Sequence, residues 1–106
     1  MATEIVLVFT TLGAETDATV LARTLVEERL AACVNVLPAM VSVYRWKGAV
    51  EQDREQQLII KTTSAGLARL QARVRELHPY EVPEFLVIAV TGGSDPYLTW
   101  VQDSVD

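Results

Sequence analysis

The sequence predicts one α+β domain, residues 1–106, of order β-α-β-β-α-β with a long central hairpin and an added C-terminal helix. Three observations predict it. The apolar period alternates between helical spacing and strict alternation along the chain. Lys47-Gly48 places a tight turn in the middle of the longest alternating stretch, with glycine where a positive φ is needed. Short runs rich in β-branched residues, 5–9 and 85–91, stand at the two ends of the pattern. A chain of 106 residues suffices for one core without disulfide staples.

Residues 5–9 are read as the first strand. Thr16 or Asp17 opens a helix whose stripe is Ala18, Leu21, Ala22, Leu25, Val26 and Leu30. Residues 32–63 form the hairpin. With Lys47 and Gly48 as its two turn residues, Val34 would face Lys61, putting a lysine on the valine side of the sheet. One unpaired residue would move Val34 opposite Thr62 or Ile60, so a bulge or break is predicted near Pro38, which cannot donate to the ladder. Ser64 caps the second helix, with Leu67, Leu70, Val74 and Leu77 as its apolar stripe. Pro79 ends that helix, because a residue preceding proline avoids the α region. After the strand at 85–91, Asp95 as cap and Pro96 as first helical residue begin the last helix.

Two βαβ-like halves joined by a hairpin make a ferredoxin-like split βαβ sandwich, in which helices cover one sheet face. Yet both faces of the first and last strands are apolar, and half of all residues are hydrophobic. The second face therefore needs cover, and another copy of the chain is the simplest cover. The net charge of −5 argues against a phosphate-backbone binder, so no nucleic acid is expected. No apolar run reaches the roughly 18–20 residues of a membrane span. Glu4 beside the first apolar run argues against a signal peptide, and the single cysteine fits a reducing cytoplasm.

The densest chemistry lies at 78–84, which holds the only histidine, Glu81, Glu84 and two of the four prolines. His78 reads as a metal ligand or proton carrier, or as a helix-terminal histidine favoured by the helix dipole. On an extended path, residues three apart are separated by roughly 9 Å. Zinc or copper ligands all lie ~2.0–2.2 Å from the ion. The segment alone thus does not supply His78, Glu81 and Glu84 to one ion; groups from elsewhere, including another subunit, must join. Tyr44-Arg45-Trp46-Lys47 reads as cross-strand packing, a subunit contact or a ligand platform. Glu51, Asp53 and Glu55 read as a solvated strand edge, Lys61 as half of an ion pair or an anion contact, and Cys33 as buried. Gly92-Gly93-Ser94-Asp95 is a turn and cap. Any Ser- or Cys-His pairing would have to use His78, and no nucleophile elbow is present, so no enzymatic activity is expected.

These blocks together resemble the CutA family of divalent-cation tolerance proteins. The matching residues are 28–35 (Glu-Arg-Leu-Ala-Ala-Cys-Val-Asn), Ser42, Tyr44, Trp46, Gly48, Glu51, Glu55, Lys61-Thr62-Thr63, Leu77-His78-Pro79-Tyr80, Pro83-Glu84, Tyr97-Leu98 and Trp100. The resemblance covers nearly the whole chain in order. It implies a ferredoxin-like homotrimer packed sheet to sheet, a likeness to PII-type signalling proteins, and a part in tolerance of copper and other divalent metals without an obligatory cofactor. Some family members have a metal site made of a cysteine late in the first strand and paired histidines before Pro-Tyr. Here Phe9, Leu77 and His78 occupy those positions, so only His78 carries over. The expected metal ligands are His78 and Glu84, with Glu81 third, at a subunit cleft lined by Trp46, Lys61 and Tyr80. Two alternatives stay open: a PII-like module binding a small anionic metabolite or nucleotide through Lys61 and Arg45, and a trimeric scaffold without a ligand.

Overall fold

In the computed structural model, which describes residues 4–106, one antiparallel sheet carries three helices. The elements are β1 (Ile5–Gly13), α1 (Ala18–Glu27), β2 (Cys33–Val36), β3 (Met40–Trp46), β4 (Ala49–Thr63), α2 (Leu67–Leu77), β5 (Leu86–Ala89) and α3 (Asp95–Ser104). In space the strands run β2-β4-β1-β5, and β3 pairs with the remaining length of β4.

The core lies where α1 and α2 cover the sheet. Val6, Val8, Leu58 and Ile60 meet Leu21, Leu25, Leu70 and Val74 there, all nearly inaccessible. Asp17 caps α1 by accepting the Thr19 N–H at 3.1 Å. Val26 falls at the margin of the α1 stripe and stays outside. Leu30 is buried, but beyond the helix, because Arg29 takes φ +59 and turns the chain. That left-handed conformation favours glycine; here the arginine side chain is tied down. Its Nε donates to Asp106 Oδ1 at 2.8 Å, and its Nη2 to the Asp103 carbonyl at 2.8 Å. Arg73 of α2 makes a two-pronged bond to Glu28, at 2.9 and 2.8 Å, which holds the Glu28 carboxyl below the usual range.

Several boundaries differ from the expectation by a few residues. Ser64 opens a 3₁₀ turn, Ser64–Gly66, rather than capping α2 with its side chain. Leu77 ends the α2 stripe half in solvent. His78 is extended, with ψ 131, as the following Pro79 demands. β5 is shorter than 85–91, and α3 takes Asp95 as its first residue, with Ser94 at the cap position. Ile5, Ala32 and Val101 form a second small cluster that seats α3 at one end of the uncovered sheet face.

The hairpin contains the predicted irregularity. Val36 pairs with Leu58 and Met40 with Glu55, so three residues on one side face two, Gln56 and Gln57, on the other. Leu37 N–H still reaches the Gln57 carbonyl at 2.9 Å. Val34 consequently faces Ile60, not Lys61. At the tip, Lys47 and Gly48 have φ +50 and +83, the signature of a type I′ turn. The hairpin arm gives the molecule a long axis of 45 Å against 25 and 24 Å.

Leu58 sits at 0% exposure in the middle of the core. Leu58→Ala is expected to cost about 2–5 kcal/mol, measured as a lower midpoint of guanidinium unfolding at unchanged slope.

Candidate functional site

Because β3 is shifted by one residue, its even-numbered side chains share a face with the odd-numbered ones of β4. Met40 stands opposite Glu55, Ser42 opposite Asp53 and Tyr44 opposite Glu51, while Trp46 pairs with Ala49 at the tip. This face of the arm and residues 80–84 look at each other across a groove of about 850 Å³. The groove is lined by five carboxylates (Glu15, Asp53, Glu55, Glu81, Glu84), by the rings of Tyr44, Trp46 and Tyr80, and by one cationic side chain, Arg54.

Neutral donors hold three of these carboxylates. Tyr80 O–H donates to Glu55 Oε2 at 2.7 Å, and Tyr44 O–H donates to Asp53. Gln57 Nε2 bridges Glu84 Oε2 at 3.0 Å and the Thr10 carbonyl at 2.8 Å, fixing the far end of the 80–84 segment to β1. Glu55 is only 7% exposed, which corrects its reading as part of a solvated edge. Its partner Met40 and the Tyr80 phenol shield it. Both phenols resist ionisation. Tyr80 is raised well above its usual value by burial and by the Glu55 hydrogen bond. Tyr44 is raised to about 12, first by its bond to Asp53 and then by desolvation and the surrounding carboxylates. At the outer rim, Lys47 Nζ lies 3.8 Å from Glu81 Oε2 and 5.5 Å from the centre of the Trp46 ring.

His78 is the structural joint of the segment. It is buried, its Nε2 lies 2.6 Å from the Thr11 carbonyl, and its Nδ1 accepts the Tyr80 N–H at 3.1 Å. A carbonyl can only accept and an N–H can only donate, so the proton sits on Nε2 and both nitrogens are used. Neither offers a lone pair to an ion. The ring also packs edge-on against Tyr80, with centroids 4.8 Å apart. The expected ligand set is therefore not assembled. Glu81 and Glu84 line the groove and His78 does not, and among the described residues no three His, Cys, Asp or Glu side chains converge as metal ligands. Lys61, expected beside Trp46 and Tyr80, is at the other end of the sheet. It donates to Tyr97 O–H at 3.3 Å, lies over that ring, and forms no ion pair among the described residues. Cys33 is half-buried on β2 and takes a long 3.8 Å contact from Asn35 Nδ2.

Residues 6–104 match the family described as "CutA1 divalent ion tolerance protein". The chain belongs to the CutA1 family. It is 45% identical over 101 residues to a divalent-cation tolerance protein CutA of Thermus thermophilus, covering 95% of this chain and 96% of that one. It is 50% identical over 91 residues to a CutA homolog of Xenopus laevis, covering 86% of this chain but 60% of that longer protein. A solved structure of a Thermus thermophilus divalent cation tolerance protein superposes with a TM-score of 0.90 at 43% identity, covering 99% and 100% of the two chains. Among the described residues of this CutA1-family chain, no helix is long and apolar enough to cross a membrane.

The carboxylate-aromatic face was missed because its charges resemble an edge kept soluble. The signal was available: counting back from Lys47-Gly48 pairs Met40 with Glu55 and Ser42 with Asp53. The burial of Glu55 was not available, because it depends on where 80–84 folds back.

Ultraviolet titration of the phenols tests the electrostatics. Tyr44 should ionise at about pH 12, and Asp53→Asn should bring that step down toward the ordinary value near ~10. A neutral phenol favoured by the fold stabilises it fully below the unfolded-state value and less as pH climbs toward the folded one. Tyr44→Phe should thus flatten the alkaline loss of stability above about pH 10.

Proposed function

We propose that the protein acts in divalent-cation tolerance as a non-enzymatic homotrimer of ferredoxin-like subunits. The observation that carries this reading is the near-complete match to the family, residues 6–104, together with a relative named for divalent-cation tolerance over almost its whole length. The strand order β2-β4-β1-β5, with β2 and β3 taken as one arm, supports the ferredoxin-like description. The bare sheet face supports assembly: Leu86 and Ile88 are 57% and 44% exposed and adjoin the half-buried Leu7, Phe9 and Ile59. Contiguous apolar surface of this kind marks an interaction site. Full use of both His78 nitrogens leaves no histidine free to carry a proton in catalysis, in keeping with a non-enzymatic role. One free cysteine accords with a reducing cytoplasm.

A chelate of the kind that binds copper tightly does not fit the residues present. Cation contact is instead weak and electrostatic, at Glu81 and Glu84 on the groove wall, with His78 positioning the segment that carries them. An anionic metabolite is the poorer fit, because Lys61 and Arg45 are apart and the groove is acidic.

Calorimetry with Cu²⁺ and Zn²⁺ should give weak binding that His78→Ala preserves in folded protein and the double change Glu81→Gln, Glu84→Gln removes. Tight binding lost with His78→Ala alone would refute the carboxylate assignment. Sedimentation equilibrium should return three times the chain mass, and Ile88→Lys should lower it to that of one chain.

A further inference from the structure

The groove contains a charge that the fold leaves without a counter-ion. Glu55 is more than nine-tenths buried, yet its hydrogen bond comes from the neutral Tyr80 hydroxyl, and no lysine or arginine lies within ion-pair distance among the described residues. A buried carboxylate with only a neutral partner remains costly, and a cation brought beside it would relieve that cost. Asp53, exposed, and Glu84, partly buried, are likewise held by neutral donors rather than by a counter-ion. These groups stand on two separate elements facing across about 850 Å³, a volume suited to a small organic molecule. They do not converge on a point, so a bare metal ion could satisfy only part of the set.

The rings supply the second requirement. Tyr44, Trp46 and Tyr80 are each a little over one-third exposed in the single chain, so ring surface is left facing the groove. The chain already displays the chemistry such a wall favours. Lys47 sets its own primary ammonium over Trp46 and beside Glu81, an aromatic ring on one side and a carboxylate on the other. Both partners of that ion pair are 72% exposed, so the contact is weak and an incoming ammonium can replace it.

We propose that this groove binds a linear aliphatic polyamine, one ammonium near Glu55 and Asp53, another over Trp46 toward Glu81, with the methylene chain along the aromatic wall. Separated positive charges on an apolar tether match separated carboxylates between rings. The site goes beyond the divalent-cation reading and does not depend on it.

Titration calorimetry with spermidine on the full chain tests the assignment, with magnesium chloride at matched ionic strength as the comparison. Saturable spermidine binding is expected, with magnesium giving less heat. Trp46→Leu, at the solvent-facing tip, should weaken it about tenfold, and Glu55→Gln at least as much. Glu27→Gln, on the outer face of α1 beside Arg23, makes the same change in net charge away from the groove and should leave binding intact. Spermidine and magnesium behaving alike, Glu27→Gln weakening binding as much as Glu55→Gln, or Trp46→Leu binding like the unaltered chain would each overturn the proposal. Circular dichroism checks each variant; if Glu55→Gln fails to fold, Trp46→Leu against Glu27→Gln decides. An unaltered chain that binds Cu²⁺ but not spermidine rejects this site alone, and one that binds spermidine but not Cu²⁺ rejects only the metal reading.

Discussion

The extra residue between Val36 and Met40 is the constraint on which the site depends. A strand has a side-chain period of two, so one inserted residue exchanges the two faces of everything beyond it. Without the insertion Val41, Val43 and Arg45 would share the face of Glu55 and Gln57, and Tyr44 and Trp46 would point away. With it, β2 keeps Val34 and Val36 in register with the core residues Ile60 and Leu58, while β3 turns its aromatic residues toward the carboxylates of β4. Pro38 stabilises the irregularity by having no N–H to lose. One strand pair thus serves two purposes, a core at its base and a ligand-sized groove along its arm.

The opposite wall is held by a different device. Residues 79–84 lack secondary structure of their own and would be expected to wander, but four polar contacts fix them: His78 to Thr11 and to the Tyr80 backbone, Tyr80 to Glu55, and Glu84 to Gln57. Prolines 79 and 83 reduce the freedom the chain must lose in adopting that path. The histidine that first suggests a metal ligand is therefore spent on architecture, and the groove takes its character from residues that look ordinary one at a time.

Much of the fold was legible in the sequence. The hairpin turn followed from Lys47-Gly48, the register break from counting residues across it, and the end of α2 from Pro79. Cap positions and strand ends slipped by a residue or two, because Ser94 and Asp95, or Phe85 and Leu86, offer nearly equal local chemistry. The site was harder to read for a physical reason. Whether Glu55 is wet or buried, and whether His78 has a free nitrogen, depends on Thr11, Tyr80 and Gln57, which are 25 or more residues away from at least one of their partners. Local pattern carries no term for such contacts. Lys61 shows the same limit: nothing near it in sequence points to Tyr97 on α3.

The placement of the two tryptophans has a practical consequence. Trp46 marks the hairpin tip, and Trp100 sits on α3 beside Tyr97, 5.5 Å between ring centres. Tyr97 in turn touches Lys61, and the β4 residues at the two places, Ala49 and Lys61, are about 40 Å apart along an extended strand. The chain therefore carries an intrinsic fluorophore at each end of its long axis. Replacing either tryptophan with phenylalanine leaves a single tryptophan, so events at the arm and events at the α3 end can be followed separately in two single-tryptophan variants, without an added dye.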